Sequence, residues 1–369
     1  MRTCLALFGV LAGFSLLTKA DPTPLASVST SPATASRSAA ETTLPSPLNS
    51  LVDQLDKAQL QELIQELRSD YVDQRALAGD EISQATVQGL LTRLGPGATL
   101  QTRAEAEEAP VIRPFKIEVV GNHFGYIRFG TLSKDTISRL DSALNDFRTR
   151  GFSGVILDLR TCGAGGDFQL AADLVNRFVP KGKLLFKLVE PKSDQDQVFT
   201  SSIDPLYRGP VAVVVDQDTS GAAEAIAETL KIQDHALILG HKTAGRAVEY
   251  QRYPIGNSLV LTLAVRQLMV PDGQPAIFPN GLQPDIPVSF SDADEKNILK
   301  LTDTESITPF VVDEERPRTN EAALVAGTNP EIDAYEAQEA GKTPAATPKD
   351  LALQRAIDFL TTVSVYRSR

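Results

Sequence analysis

The stretch PVAVVVDQDTSGAAEAIAETL, residues 210–230, passes from a continuous apolar run through a short polar turn into a helix. The apolar half has the composition of a strand buried on both faces. The second half is rich in Ala and Glu, which favour helix, and it begins near Ser220 and Gly221. A buried strand that leads directly into a helix indicates a layered α/β domain.

Strand and helix patterns also alternate on both sides of this stretch. Residues 115–121 and 124–130 predict a hairpin, and the apolar face after Ser133 predicts a helix that ends at Gly151. Three further segments read as strands: GVILDLR (154–160), KLLFKLV (183–189) and ALILG (236–240). The alternation predicts a mixed α/β fold with a largely parallel sheet, followed by β-rich residues 247–290.

Composition shifts divide the chain into seven segments. Residues 51–67 and 81–94 carry helical apolar spacing, with Val87, Leu90 and Leu91 expected to face inward. The predicted segments are a signal peptide (1–20), a disordered Ser/Thr/Pro/Ala-rich tether (21–48), a helical region (49–100), an acidic linker (101–114), a core (115–312), a polar linker (313–350) and a C-terminal helix (351–369).

The first twenty residues have the pattern of a secretory signal. Arg2 precedes an apolar run that is short for a membrane span, and Thr18-Lys19-Ala20 puts small residues at the expected cleavage positions. The alternative is an uncleaved N-terminal anchor. We therefore expect an exported protein with no integral membrane span after cleavage.

The charge balance excludes some partners. The chain holds 36 Lys and Arg against 47 Asp and Glu, for a net charge of −11, so nucleic acid is an unfavourable ligand. The histidines, His123, His235 and His241, have no ligand partner at helical spacing, so no metal is expected. No cofactor motif is present, and Cys162 alone follows the signal segment.

Six segments, in order, resemble those of the tail-specific, or C-terminal processing, serine proteases. They are QGLLTRLGPGATL (88–100), GYIRF (125–129), GVILDLR with CGAGG (154–166), the stretch quoted first (210–230), ALILGHKTAGRAVEY (236–250) and FPNGLQPDIPV (278–288). The resemblance implies a core of strand-strand-helix units of the Clp protease and crotonase type. It also implies a Ser–Lys dyad, in which a desolvated lysine activates the serine, and a polypeptide substrate.

The sequence departs from that family at both dyad positions. Thr219 and Glu224 match the family turn and set the register, which puts Gly221 at the nucleophile position. The same register puts Arg246 at the base position. Glycine has no nucleophile, and arginine stays protonated, so the resemblance implies a degenerate site.

The resemblance also implies an oxyanion turn formed by Gly165 and Gly166 with the backbone of Ala222. The turn is one residue longer than the family's. The linker 101–114 is too short for the PDZ domain that usually accompanies the core. We expect an exported protein of the bacterial periplasm or envelope that binds polypeptide C-terminal tails or an envelope protein, while its oligomeric state stays open.

Three alternatives stay open at these residues. Ser220 is either a helix cap or a relocated nucleophile with Lys242 as its base. A triad of Ser220, His235 or His241, and Asp216 is conceivable, because triad members have no fixed sequence spacing. Cys162 is either a small packed side chain or a reactive thiol on a glycine-rich turn.

Overall fold

The computed structural model describes residues 54–70, 79–108, 113–121, 123–162, 167–191, 195–271, 277–289, 291–311 and 348–367. Contacts divide the chain into two units, residues 1–77 and 78–369. In the first unit the structure describes helix α1 (Lys57–Asp70) and the three residues before it. The predicted signal peptide and tether, and most of the polar linker 313–350, lie outside the described residues.

The second unit contains the remaining described elements. In chain order they are α2 (Gly79–Leu94), β1 (Ala98–Thr102), α3 (Arg103–Glu107), β2 (Lys116–Val120), β3 (Phe124–Arg128), α4 (Lys134–Thr149), β4 (Gly154–Asp158), α5 (Phe168–Val175), β5 (Leu184–Val189), β6 (Gln197–Thr200), β7 (Val211–Val215), α6 (Ala222–Asp234), β8 (Leu237–Gly240), β9 (Val248–Ile255), β10 (Leu259–Met269), β11 (Ile286–Pro287), α7 (Asp292–Leu301), α8 (Thr308–Val311) and α9 (Leu351–Arg367).

A six-stranded sheet forms the centre of this unit, in the order β11–β8–β7–β4–β3–β2. Its strands are parallel except β2, which pairs antiparallel with β3 as the predicted hairpin. Every residue of β3, β4 and β7 is buried, because helices cover both faces of the sheet. Helices α4, α5 and α6 pack on one face, and α8 and α9 pack on the other.

A second sheet is antiparallel. Strands β9 and β10 form a long hairpin, and the other edge of β10 pairs with β1 and then β5, to which β6 adds. The segment 183–189 was expected in the parallel layer, and this expectation is wrong. Local composition identifies a strand, but the partner of β5 is set by β10, whose residues are distant in sequence.

The mixed α/β fold class is confirmed, and two local expectations differ from the structure. Residues 101–108 are not a plain linker, because the Thr102 hydroxyl and the Glu105 carboxylate form a reciprocal capping box that starts α3. Val87 and Leu90, expected to face inward, are 50% and 54% exposed, because α2 packs on little besides β1 and the short turn that follows it. Among the described helices, none has the length and apolar character to cross a bilayer.

Candidate active site

One buried carboxylate joins the turn before α6 to the turn after β8. Oε2 of Glu224 accepts hydrogen bonds from the backbone N–H groups of Gly221, at 3.0 Å, and Arg246, at 2.7 Å. Oε1 accepts from the N–H of Gly245, at 2.8 Å, and from the hydroxyl of Thr243. The structure therefore brings positions 221 and 246 together at one oxygen atom.

Among the described residues, Glu224 has hydrogen-bond donors and no paired cation. Burial raises the pKa of this carboxyl group, and the hydrogen bonds from Thr243, Gly245, Arg246 and Gly221 oppose that shift. Three of the four donors are backbone N–H groups, so they do not depend on which side chains those residues carry. The carboxylate thus holds the geometry of the turns whatever occupies positions 221 and 246.

Gly221 has a backbone conformation that other residues rarely adopt. It lies between β7 and α6 with φ 59° and ψ −118°, as the N-cap residue of the helix. A serine held at a sharp turn between a strand and a helix stores strain in this way to expose its hydroxyl. Glycine occupies the same conformation without that strain, because it has no Cβ.

The turn that carries Arg246 is fixed by several backbone contacts. The N–H of Ala244 donates to the carbonyl of Thr219, at 3.0 Å. Thr243 and Leu282 exchange two hydrogen bonds, one from each backbone N–H. Gly245 lies so close to the 279–281 segment that a Cβ would stand 2.3 Å from the carbonyl oxygen of Pro279. The segments that contain positions 221, 246 and 282 therefore form one connected frame.

The segment before β1 contacts the same frame. The hydroxyl of Tyr250 donates to the carbonyl of Pro96, at 2.7 Å. The ring of Phe278 packs on Gly97, where a Cβ would stand 3.1 Å from the ring. The sequence GPG at 95–97 is thus packed against the start of β9 and the 278–282 segment.

Asp216, at the end of β7, organises the neighbouring turns. Its carboxylate accepts hydrogen bonds from the backbone N–H groups of Thr161, Asp218 and Thr219 and from the Thr219 hydroxyl. Thr161 needs this anchor, because it has φ 58°, which a β-branched residue rarely adopts. Asp216 is therefore a structural acid that positions the chain just before residues 163–166.

The predicted triad is not assembled around Asp216. His235 lies at the C-terminal end of α6, a helix of 13 residues, and so stands about 20 Å from Ser220. His241 faces a different acid, with Nδ1 3.9 Å from Oδ1 of Asp292. The donors around Asp216 are backbone N–H groups and a threonine hydroxyl.

The remaining predicted site residues have mixed outcomes. Gly165 and Gly166 lie outside the described residues, while Ala222 is buried as the first residue of α6. Cys162 is buried, and burial, aided by Asp216 and Asp158, raises the pKa of its thiol to about 12. A thiol so protected from ionisation is a packed side chain, not a reactive thiolate.

Ser220 is not the N-cap residue that the sequence suggested. Gly221 holds that position, because the Glu224 carboxylate binds the N–H of Gly221 and starts the helix there. Ser220 is 7% exposed. Lys242 is exposed and lines a surface cavity of about 560 Å³ with His241 and Gln283, which is not the desolvated setting that a lysine base requires.

A buried ionic cluster lies just after β4. Arg160 binds Asp158 and Asp350, each with a closest contact of 2.7 Å, and Glu295 at 3.3 Å. The hydroxyl of Tyr126 also donates to Asp158, at 2.7 Å. This arginine therefore ties the end of β4 to α7 and to the start of α9.

The sequence reasoning overlooked Arg160, Glu295 and Asp350 as site-positioning residues. Asp350 offered one local signal, since its carboxylate accepts from the N–H of Leu353 in the manner of a helix cap. No local sequence pattern indicated that Glu295 and Asp350 would both contact Arg160. Among the described residues no group of three His, Cys, Asp or Glu side chains is arranged to hold a metal ion.

Known proteins resemble the same part of the chain. The model of a family described as Peptidase family S41 matches residues 123–288. The chain is 25% identical over 242 residues to carboxy-terminal processing protease CtpB of Bacillus subtilis, covering 62% of this chain and 50% of the relative. It is 26% identical to the carboxyl-terminal-processing protease of Synechocystis sp., covering 62% and 55%. The chain spans about half the length of these curated relatives.

A solved structure is similar over a comparable span. The photosystem II D1 C-terminal processing protease matches with a TM-score of 0.41 and 21% identity, covering 57% of this chain and 54% of that one. The family match spans β3 to β11 and so includes both turns joined by Glu224. Residues 123–288, the part of the chain that contains the candidate active site, therefore belong to peptidase family S41.

Proposed function

We propose that this chain is a non-cleaving member of its family, which binds polypeptide C-terminal tails or a partner protein in a bacterial envelope. One observation carries the proposal. The backbone N–H groups of Gly221 and Arg246 both donate to Oε2 of Glu224, which supports the interpretation of these two residues as the dyad positions, and neither residue carries the group that the dyad needs.

The chemistry of the two residues supports this reading. Glycine offers no side-chain oxygen to attack a peptide carbonyl. The Arg246 guanidinium remains protonated at any accessible pH, and the residue is exposed, so it cannot accept a proton from a nucleophile. Peptide cleavage by this dyad has no route through these side chains.

The retained frame supports binding as the remaining activity. The bonds from Glu224, Thr243 and Ala244 hold both turns in place without a dyad. The relatives' names describe processing at protein C-termini, so an exposed polypeptide tail is the ligand class we assign. The signal-like residues 1–20 support an envelope location.

A competing function keeps catalysis by moving the nucleophile to Ser220, with Lys242 as base. Ser220 adjoins Gly221 in the same turn, which is the observation in its favour. It requires the exposed Lys242 to lose its hydration before it can act as a base. Ser220→Ala separates the two functions, because only the relocated site needs that hydroxyl.

The test measures binding and cleavage on one substrate. A fluorescent, unstructured polypeptide with an apolar C-terminus is titrated with the purified chain, and binding is read by anisotropy. The same mixtures are followed by mass spectrometry over hours. We expect saturable binding, no product, and the same result for Ser220→Ala. Product that disappears in Ser220→Ala would establish the relocated site, and absence of both binding and product would refute the proposed function.

A further inference from the structure

A cavity of about 520 Å³ lies at the N-terminal ends of the parallel strands. The Gly221 turn lies at the opposite ends of these strands. Its walls come from the last turn of α4, from Phe152 just before β4, and from residues 205–209 just before β7. The Gly221 turn follows the C-terminal end of β7, so a strand length of about 17 Å separates the two places. The cavity therefore does not belong to the candidate active site.

Two arginines line this cavity without an acidic partner. Arg148 and Arg208 are exposed, and neither forms an ion pair with a described residue. Arg148 donates only to the side-chain oxygen of Asn145, at 3.3 Å. The nearby Arg150 differs, because Asp146 binds it at 3.1 Å and it stacks on the outer side of the Phe152 ring, 4.6 Å from its centroid. Two unpaired guanidinium groups thus meet at one cavity in a chain of net charge −11.

The floor of the cavity contains a buried polar atom. Tyr207 is 5% exposed, and its hydroxyl has no hydrogen-bond partner among the described residues. The hydroxyl lies beside Gly209, where a Cβ would stand 2.2 Å away, so a side chain at position 209 would collide with it. Buried hydroxyl groups are normally hydrogen-bonded, and this one lacks an acceptor.

The charges that face Tyr207 also favour a negative ligand. Burial raises the pKa of its phenol, the Arg367 guanidinium opposes that shift and Asp234 adds to it. Of the two charged groups that act on Tyr207, Asp234 is the acid, and burial raises the pKa of Asp234 to about 7. The acid that acts on Tyr207 is therefore only partly charged near neutral pH.

We propose that this cavity is a carboxylate-binding site for a small apolar acid or the C-terminal end of a polypeptide. The planar forks of Arg148 and Arg208 match the two oxygens of a carboxylate, and Phe152 and Leu206 provide apolar walls for the adjoining side chain. An oxygen of the ligand would serve as the acceptor for the Tyr207 hydroxyl. The inference does not depend on the loss of the dyad.

Calorimetric titration of the full chain tests the site with acetyl-leucine and acetyl-leucinamide, which differ only in the charged carboxylate. We expect saturable binding of acetyl-leucine, at least tenfold weaker binding of the amide, and weakening with added salt. Arg148→Gln and Arg208→Gln should each weaken acetyl-leucine binding about tenfold, and Tyr207→Phe by a few fold. Arg355→Gln, an exposed arginine on α9, is the matched control and should change affinity less than twofold.

An eight-residue peptide that ends in leucine identifies the source of the carboxylate. Affinity equal to or above that of acetyl-leucine assigns the site to a polypeptide end, and absence of binding assigns it to a small acid. Equal binding of acid and amide, or equal affinity of the natural chain and both arginine variants, overturns the proposal. An unchanged affinity in Tyr207→Phe would remove the hydroxyl from the site.

Discussion

Two buried carboxylate clusters stabilise the turns at the C-terminal ends of the parallel strands, and they do so in different ways. Glu224 is held by three backbone N–H groups and one threonine hydroxyl, without a paired cation. Asp158, Glu295 and Asp350 instead share one cationic partner, the guanidinium of Arg160. The first cluster tolerates changes in the neighbouring side chains, while the second depends on the identity of a single residue.

On the proposed register, this difference would explain how residues 221 and 246 can change while the hydrogen bonds to Glu224 persist. Substitution at 221 or 246 leaves the N–H groups that bind Glu224 in place, since every residue except proline carries one. Substitution at 160 removes the cation that forms ion pairs with all three acids. The clusters therefore predict opposite sensitivities, which mutagenesis can measure.

The largest effect is expected for Arg160→Met. The change keeps much of the side-chain volume but leaves the buried carboxylates without their ion-pair partner, and it should lower the free energy of unfolding by roughly 3–5 kcal/mol. Urea unfolding measures it. Arg160→Lys keeps the positive charge but loses the planar guanidinium donors. Its free energy of unfolding should lie between those of the natural chain and Arg160→Met. Near-natural stability of Arg160→Met would show that the two clusters do not differ as described.

Glu295 should make this cluster sensitive to pH. Burial raises the pKa of Glu295 to about 7 although Arg160 opposes it, and Asp216 and Asp350 raise it further. Between pH about 4.5 and about 7 the folded state holds a proton that the unfolded state has lost, so this group's contribution to stability falls as pH rises. Above pH 7 the penalty is on the order of 3 kcal/mol.

The measurement compares the natural chain with Glu295→Gln by urea unfolding at pH 5, 6, 7 and 8. The natural chain should lose stability relative to Glu295→Gln as pH rises, by an amount that approaches this penalty. Parallel stability curves for the two proteins would mean that Glu295 has an ordinary pKa and that Arg160 neutralises it fully.

A smaller effect is expected for Glu224→Gln. The NH₂ group of the glutamine would face N–H donors where the carboxylate had an accepting oxygen. Buried N–H groups would then lack an acceptor, which should lower the free energy of unfolding by about 2 kcal/mol. Glu228→Gln is the matched control one turn later on α6, because Oε2 of Glu228 is buried without a partner among the described residues. The control should be neutral or stabilising. Equal losses in both variants would contradict the special role of Glu224.

The smallest effect is expected for Gly221→Ala. With φ 59° and ψ −118°, an added Cβ strains the backbone and should cost roughly 1–2 kcal/mol. Gly89→Ala is the control within α2, where nothing lies within 4 Å of the added atom, and it should stabilise by about 0.5–1 kcal/mol. Thermal unfolding should therefore move in opposite directions for the two variants. A shift in the same direction would mean that position 221 relaxes without strain.

Local sequence patterns were sufficient for most elements of the sheet. Continuous apolar runs predicted β4, β7 and β8, and the spacing after Ser133 predicted α4, because these signals arise within one segment. They could not place β5 in the second sheet, because its partner β10 follows about 80 residues later. They also could not show that α2 keeps an exposed apolar face, because exposure depends on what packs against it.

Local sequence patterns likewise predicted one part of the candidate site and not the other. Thr219 and Glu224 suffice to propose the register that pairs Gly221 with Arg246. The cluster at Arg160 could not be predicted from the sequence, because Glu295 and Asp350 lie 135 and 190 residues away from Arg160 along the chain. No periodicity or motif encodes contacts between such distant residues.

The double variant Gly221→Ser, Arg246→Lys tests most directly the claim that the frame remains and only the dyad is gone. Purified natural chain, both single variants and the double variant are incubated with the tailed polypeptide, and products are followed by mass spectrometry. We predict product from the double variant alone. Cleavage by the natural chain, or a folded double variant that binds the polypeptide and leaves it intact, would contradict the account.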